Sequence, residues 1–190
     1  MRTTILLLTV GMLSISRTEA QSNAWVNTGG SPTIHDALGF SVLDKGYVLL
    51  GQTDNGDTLV DLFEYSPPDT WTEKAVFPGA TRVGATVFTL SGKAYVGMGH
   101  GASGPLNDLW AYDPASNSWM QRASLPGPAR AMAAAFSIGA NGYIAAGQDE
   151  NEASLNDLWS YDPVADAWTA RASLPSGMWN ASTFVVNQSI

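Results

Sequence analysis

Cysteine is absent from the 190 residues. This excludes disulfides, thiolate metal sites and a cysteine nucleophile. Charge is also scarce, at 14% of residues against roughly 25% in an average soluble domain. Nine basic residues face 17 acidic ones, and the net charge is −8. Because such a surface repels phosphate groups, we expect neither nucleic acid nor an anionic membrane as a partner.

Long helical patterns are missing too. No stretch after residue 20 repeats its apolar residues every 3.6 positions, so we expect almost no helix. With two histidines and no cysteine, the chain has few ligands for zinc or copper, and we expect no cofactor. Hydrophobic residues make up 45% of the chain, which argues against disorder.

The N-terminus has the layout of a secretory signal peptide. Arg2 precedes an apolar run at residues 5–13, and Thr18 and Ala20 place small side chains before a cut after Ala20. As a helix the run would be about 14 Å long, too short for a hydrocarbon core of about 30 Å. We therefore expect residues 1–20 to be removed and the mature chain, 21–190, to be secreted or periplasmic, without membrane insertion.

An internal repeat of about 48 residues organises the rest. Residues 107–126 and 156–175 are identical at 13 of 20 positions. Trp71, Trp119 and Trp168 lie 48 and 49 residues apart. A tyrosine begins a short apolar segment at one equivalent position in each unit, namely Tyr47, Tyr95 and Tyr143. Each unit contains four short apolar segments separated by turn signals, which predicts one propeller blade per unit.

These landmarks resemble the Kelch family. A Kelch unit has a strand ending in two glycines, then a Tyr-Asp pair, then a tryptophan about six residues later. Tyr112-Asp113 with Trp119 and Tyr161-Asp162 with Trp168 match this pattern. The first glycine is replaced in every unit, by Leu50, Met98 and Ala146. The resemblance covers residues 24–190 and implies an all-β, Kelch-type β-propeller of the class that includes galactose oxidase, built from four-stranded antiparallel blades.

The blade count falls short of a closed ring. We expect complete blades at 37–76, 83–124 and 131–173, a lone outermost strand at 24–27 and a partial blade at 179–190. Three blades leave blade edges uncovered. The sequence thus predicts a fragment of a longer propeller, or else several copies that share one ring by self-association through the open edges.

The resemblance places ligand binding on one rim of the propeller, where two sets of loops meet. One set precedes each innermost strand and contains the paired residues Arg82 and Arg130, together with Trp179 and the His35-Asp36 pair. The other set follows each glycine and contains His100 and the acidic segment 148–154. Two equivalent arginines are suited to a carboxylate or sulfate, although repetition alone also explains them. We expect neighbouring side chains such as His35 and Asp36 to point apart.

Other polar residues have structural interpretations. Asp108 and Asp157 repeat at equivalent positions and are expected to bridge blades or to satisfy backbone donors. Asp149, Glu150 and Glu152 lack the alternating spacing of a calcium loop.

The sequence therefore favours a non-catalytic module that binds a protein or glycan ligand at its rim, with no catalytic residue. The alternative is a carbohydrate-active Kelch enzyme resembling a sialic acid epimerase or mutarotase, in which Arg82 and Arg130 hold the sugar carboxylate. A radical-copper oxidase of the galactose oxidase type is excluded, because its Tyr-Cys cofactor needs cysteine.

Overall fold

The computed structural model describes residues 35–185, all of which belong to one compact unit, Ser31–Ile190. The predicted signal peptide, the lone strand at 24–27 and the last five residues of the partial blade lie outside the described residues. The described part consists of strands and loops without a helix, so its all-β class is confirmed. Within this part there is accordingly no helix of the length and apolarity that a membrane crossing requires.

Twelve of the strands form three four-stranded antiparallel sheets, which we call blades 1, 2 and 3. Blade 1 consists of β1 (Leu38–Val42), β2 (Lys45–Leu49), β3 (Leu62–Ser66) and β4 (Thr70–Glu73). Blade 2 consists of β5 (Thr86–Leu90), β6 (Lys93–Gly97), β9 (Leu109–Asp113) and β10 (Ser118–Arg122). Blade 3 consists of β11 (Ala134–Ile138), β12 (Asn141–Ala145), β13 (Leu158–Asp162) and β14 (Ala167–Arg171). Between β6 and β9, β7 (His100–Gly101) pairs with β8 (Gly104–Pro105).

Tight turns join the two inner strands of each blade. Leu43 and Asp44 connect β1 to β2 with φ of 48° and 62°, and Ser91 and Gly92 connect β5 to β6 with φ of 52° and 74°. Positive φ at both central residues is the mark of a type I′ turn, whose twist matches that of the strands it joins. These turns fix the register, for example Phe88 opposite Tyr95.

Two apolar cores lie between the blades. The first joins blades 1 and 2 and contains Leu49, Leu62, Val96 and Tyr112, and the second joins blades 2 and 3 around Tyr95, Ile144 and Tyr161. The innermost strands β1, β5 and β11 are also neighbours. Each of the three blades is therefore stabilised mainly by burial of apolar surface against a neighbouring blade.

Stacked aromatic pairs mark each blade at the same place. Phe40 and Tyr47 lie 5.2 Å apart, and Phe88 and Tyr95 lie 5.0 Å apart, with nearly parallel rings. A tyrosine of the following blade packs at an angle against each tyrosine: Tyr112 against Tyr47 at 5.9 Å and Tyr161 against Tyr95 at 5.6 Å. Blade 3 carries the same pair, Phe136 and Tyr143 at 5.1 Å.

The outer strands are joined by polar contacts. Trp119 Nε1 donates to the Ala75 carbonyl at 2.8 Å, and Trp168 Nε1 donates to the Ala123 carbonyl at 2.8 Å. In return, Asn117 Oδ1 accepts the amide of Ala75 at 2.9 Å. The periodic tryptophans therefore connect blades as well as filling volume.

The segment predicted as a fourth inner strand is irregular over its described residues, 180–185. It nevertheless follows blade 3, since the Asn180 amide donates to the Met132 carbonyl at 2.9 Å and Thr183 Oγ1 donates to the Ala135 carbonyl at 2.7 Å. Phe184 is 86% exposed. The described residues contain three complete blades and no closed ring.

The replaced glycines keep the backbone of a glycine pair. Leu50, Met98 and Ala146 have φ of 61°, 56° and 62°, although none is glycine, and all three are buried. The glycine that follows each has φ near 100°. A left-handed φ of about 60° is costly but accessible to an L-residue, whereas φ near 100° is suited to glycine.

Replacement of Gly147 by alanine is therefore expected to lower the free energy of unfolding by about 2 kcal/mol. Its φ is 102°, and a Cβ there would lie 2.8 Å from the Ala131 carbonyl oxygen. Gly39→Ala is the matched control, because a Cβ at Gly39 meets no atom within 4 Å. Urea unfolding of both variants checks this, and equal midpoints would contradict it.

Candidate functional site

The rim is the end of the blades at which each innermost strand begins. There the residue three positions before each innermost strand pairs with the residue after the repeated glycine: His35 with Gln52, Val83 with His100, and Ala131 with Gln148. This pairing brings the two predicted sets of loops together on one face.

The sequence predicted Arg82 as a ligand-binding residue of the rim, but the structure shows its side chain buried. It is 1% exposed, and its Nη1 and Nη2 donate to both carboxylate oxygens of Asp108 at 2.5 and 2.8 Å. Nη1 also donates to the Met98 carbonyl at 3.0 Å, and Nε donates to the Ala80 carbonyl at 2.9 Å. The guanidinium lies 5.1 Å from the ring centre of Phe77.

Arg130 repeats this arrangement in blade 3. It is fully buried and donates to both oxygens of Asp157, at 2.5 and 2.7 Å. Its other acceptors are the carbonyls of Ala146 at 2.9 Å and Pro128 at 3.1 Å. Trp159 Nε1 also donates to Asp157, as Trp110 Nε1 donates to Asp108. We call each Arg–Asp–Trp set a clamp.

The clamps change the interpretation of the paired arginines. Their guanidiniums are used within the fold, so Arg82 and Arg130 do not face a ligand at the rim as the sequence predicted. Each clamp instead ties the loop before an innermost strand to the start of the third strand of the same blade. Asp108 and Asp157 therefore have a structural role, within one blade rather than between blades.

The clamp carboxylates have altered acidity. Burial alone would raise the pKa of Asp157, but hydrogen bonds from Arg130 and Trp159 outweigh it and hold the pKa below its ordinary value. The pKa of Asp108 is lowered in the same way by Arg82 and Trp110, against the opposing effect of burial. Both carboxylates are thus ionised partners of buried cations at neutral pH.

A groove lies at the rim between blades 2 and 3. Its volume is about 400 Å³. It is lined by His100, Ser103, Gly104, Pro105, Pro128, Ala129, Asp149 and Glu150. Of the five individual rim candidates, only His100 lines the groove, where its side chain is exposed, and the predicted acidic segment 148–154 contributes Asp149 and Glu150.

The acidic wall of the groove is a folded loop. Asp149 Oδ1 accepts the amides of Asn151 and Ala153, both at 2.9 Å, so this carboxylate holds the loop in shape. Glu150 is exposed at the tip. His100 and Pro105 belong to the loop between β6 and β9 of blade 2, and Pro128 and Ala129 belong to the loop before β11. The groove is acidic on one side and has apolar surface beside it.

The remaining candidates lie outside the groove. His35 Nδ1 is 3.1 Å from Asp36 Oδ2, which contradicts the expectation that these neighbours point apart. The cause is the φ of 55° at Asp36, which turns the backbone out of the extended conformation. Trp179 is 46% exposed and lies beside Met178, whose carbonyl accepts the Gly147 amide.

The sequence predicted which loops lie at the rim, but it did not predict that loops of blades 2 and 3 form a groove there. Pro128 and Ala129 were not singled out as ligand residues, and Glu150 was considered only within an acidic loop, although the segments 127–130 and 148–154 belong to the two predicted loop sets. Within residues 35–185 no three histidine or acidic side chains are grouped so as to hold a metal ion.

Asp157→Asn is expected to lower the free energy of unfolding by about 2 kcal/mol at pH 7, because it leaves buried Arg130 without its carboxylate. Since the folded pKa of Asp157 is below its ordinary value, the clamp stabilises the fold above about pH 4 and is lost as the pH falls further. The difference in the free energy of unfolding between the variant and the wild type should therefore decrease at acidic pH. Asp69→Asn is the control, because Asp69 is exposed. Chemical unfolding measures both variants, and a loss of stability in Asp157→Asn that does not change with pH would contradict the role of the clamp.

Comparison with known proteins agrees with this architecture. Residues 12–190 match the model of the KLHDC2/KLHL20/DRC7 Kelch-repeats domain. A solved structure titled "Structure of YjhT" superposes with a TM-score of 0.66 at 18% sequence identity, covering 75% of this chain and 53% of that one. The chain thus spans about half the length of that structure. The comparison with curated proteins gives no match. Together with the three four-stranded blades, these findings confirm the predicted Kelch-type β-propeller architecture, and the chain belongs to the Kelch-repeat family.

Proposed function

We propose that this Kelch-repeat domain binds a protein partner in the rim groove between blades 2 and 3. The observation that carries the proposal is the groove itself, formed by His100, Pro105, Pro128 and Glu150 on loops that the clamps hold in place. Loops on a rigid scaffold are where binding residues concentrate, while the repeated blades supply the support.

The groove suits a basic side chain of the partner. Glu150 is exposed and Asp149 lies beside it, while the chain as a whole carries a net charge of −8. A lysine or arginine would place its cation against these carboxylates and its methylene stem on Pro105 and Pro128. The negative field of the whole protein would also speed association with a basic partner.

A glycan is the second class of ligand that the sequence favoured. Sugar-binding sites commonly stack a ring on an aromatic side chain, and none of the residues lining the groove is tryptophan or tyrosine. We therefore place a protein before a glycan as the occupant.

The epimerase-like alternative loses its support. It depended on Arg82 and Arg130 to hold a sugar carboxylate, and both guanidiniums are occupied by Asp108 and Asp157. The described groove retains His100, Asp149 and Glu150 as ionisable groups, of which Asp149 is bound to its own loop.

We also propose that the domain acts outside the cytoplasm. Support comes from Arg2, the apolar run at 5–13 and the small residues Thr18 and Ala20.

Glu150→Lys is expected to weaken binding of basic peptides at least about tenfold, since it reverses the charge at the tip of the groove. Peptides selected from a random library on the full chain serve as probes, and lysine or arginine should be enriched among them. Fluorescence anisotropy measures the affinities, which should also fall with added salt.

Asp54→Lys is the matched control for this experiment. Asp54 occupies the equivalent loop position in blade 1, is exposed and does not line the groove, so its replacement makes the same charge change elsewhere. Selected peptides without basic residues, or equal weakening by both variants, would contradict the proposed site.

Secretion has its own test. Expression of the full chain with a C-terminal tag should yield a product outside the cytoplasm that starts at Gln21, as read by intact mass. Replacing Leu7 by arginine in the apolar run should retain the chain, unprocessed, in the cytoplasm. An unprocessed wild-type chain would contradict the proposal.

A further inference from the structure

A second pocket lies between blades 2 and 3, at the end of the blades opposite the rim. Its volume is about 250 Å³. It is lined by Lys93, Tyr95, Ala111, Asp113, Ser116, Ser118, Met120, Arg122 and Pro163. In a chain with nine basic residues, the presence of two of them in one pocket sets this pocket apart from the acidic rim groove.

In blade 1 a glutamate side chain fills the equivalent position. There Tyr47 lies opposite Glu64 on the neighbouring strand, and its hydroxyl donates to Glu64 Oε2 at 2.7 Å. Lys74 Nζ lies 3.3 Å from the same oxygen. The pKa of Glu64 is lowered, because the hydrogen bonds from Tyr47 and Lys74 outweigh the opposing effect of burial. An ionised carboxylate thus occupies the site in blade 1.

Blade 2 keeps the donors and lacks the carboxylate. Tyr95 is equivalent to Tyr47, and Arg122 is equivalent to Lys74, but the residue opposite Tyr95 is Ala111. An alanine side chain offers no acceptor and leaves the volume of a glutamate side chain empty. Blade 3 has Ser160 at this position, where its hydroxyl accepts a hydrogen bond from Arg171 Nε at 2.8 Å.

Three of the side chains that line the pocket are hydrogen-bond donors, namely Lys93, Tyr95 and Arg122. Arg122 uses Nε on the Tyr161 hydroxyl at 3.0 Å and Nη2 on the Pro163 carbonyl at 2.8 Å, while Nη1 lies 3.5 Å from the weak acceptor Sδ of Met120. Burial raises the pKa of Tyr95, so its hydroxyl stays protonated.

Two carboxylates already face the cations. Lys93 pairs with Asp113 at 2.8 Å, and Arg122 Nε lies 3.4 Å from Asp166 Oδ1. Both pairs are partly exposed, so they leave the remaining N–H groups of Lys93 and Arg122 able to donate to a further acceptor. They also limit the affinity, and we expect dissociation constants in the millimolar range.

We propose that the pocket formed by Tyr95, Lys93 and Arg122 beside Ala111 binds a carboxylate, which takes the place that the Glu64 side chain occupies in blade 1. The carboxylate belongs either to a free small molecule or to a peptide chain terminus. The site is independent of the rim groove, since none of its residues lines that groove.

The test uses the full ¹⁵N-labelled chain and three probes: acetate, the peptide N-acetyl-Gly-Gly with a free C-terminal carboxylate, and the same peptide amidated. NMR titration is expected to show saturable shifts at Arg122 Nε–Hε and at the amides near Lys93 and Ala111 for the two carboxylates. The amidated peptide should leave these signals unchanged. No saturable shift with either carboxylate, or equal shifts with the amide, would overturn the proposal.

The relative affinities identify the source of the carboxylate. Binding of the free-acid peptide at least about tenfold tighter than acetate assigns the pocket to a chain terminus, whereas equal affinity assigns it to small free carboxylates. Both results support a carboxylate site.

Ala111→Glu supplies the decisive variant, because it reproduces the Tyr–Glu–cation arrangement of blade 1. It should raise the melting temperature by a few degrees and weaken acetate binding at least about tenfold. If this variant does not fold, Arg122→Gln replaces it in the experiment, with Arg171→Gln as the control. Arg122→Gln should lose acetate binding, and Arg171→Gln should keep it. Unchanged affinity in a folded Ala111→Glu or Arg122→Gln chain would overturn the proposal.

Discussion

The contact between successive blades is the constraint on which the rest of the structure depends. Blades 1 and 2 each present a stacked Phe–Tyr pair to the following blade, which covers it with a tyrosine, as Tyr112 covers Tyr47 and Tyr161 covers Tyr95. A single repeat cannot bury its hydrophobic surface by itself, so each blade needs a neighbour, and blade 2 packs on both of its faces. The aromatic landmarks that recur in the sequence are the residues of this contact, and their spacing follows from the length of chain needed to build one blade.

The clamps fix the points at which the rim loops leave the blades. Arg82 and Arg130 fix the chain just before an innermost strand to the start of the third strand, so the loops beyond these anchor points vary without loosening the blade. A buried ion pair adds little net stability over a well-packed apolar pair, but it has stringent geometry. The guanidinium of each arginine has five donors in a fixed planar arrangement. This geometry determines where the rim loops begin, and hence the position of the loops that line the groove.

The repeat allowed the fold to be predicted from sequence, because strand periodicity and aromatic spacing are local properties. The role of the arginines was not predictable in this way. Arg82 and Asp108 are 26 residues apart and meet through the pairing of strands, so equivalence between units showed that the arginines recur without showing what they bind. His35 and Asp36 converge because of one positive φ, which the residue types do not specify. The groove likewise depends on loops of two different blades.

Comparison of the three blades shows that one position on the third strand varies in size and charge while the fold stays the same. The residue opposite the repeated tyrosine is Glu64 in blade 1, Ala111 in blade 2 and Ser160 in blade 3, while strand register is the same in all three. Since the stability of each blade comes from the aromatic contact, this position tolerates a loss of volume and charge. The donors that surround it are retained by contacts of their own, such as Arg122 with Tyr161 and Pro163. A substitution that removes an internal acceptor from such a shell therefore leaves a preorganised set of donors rather than a collapsed cavity.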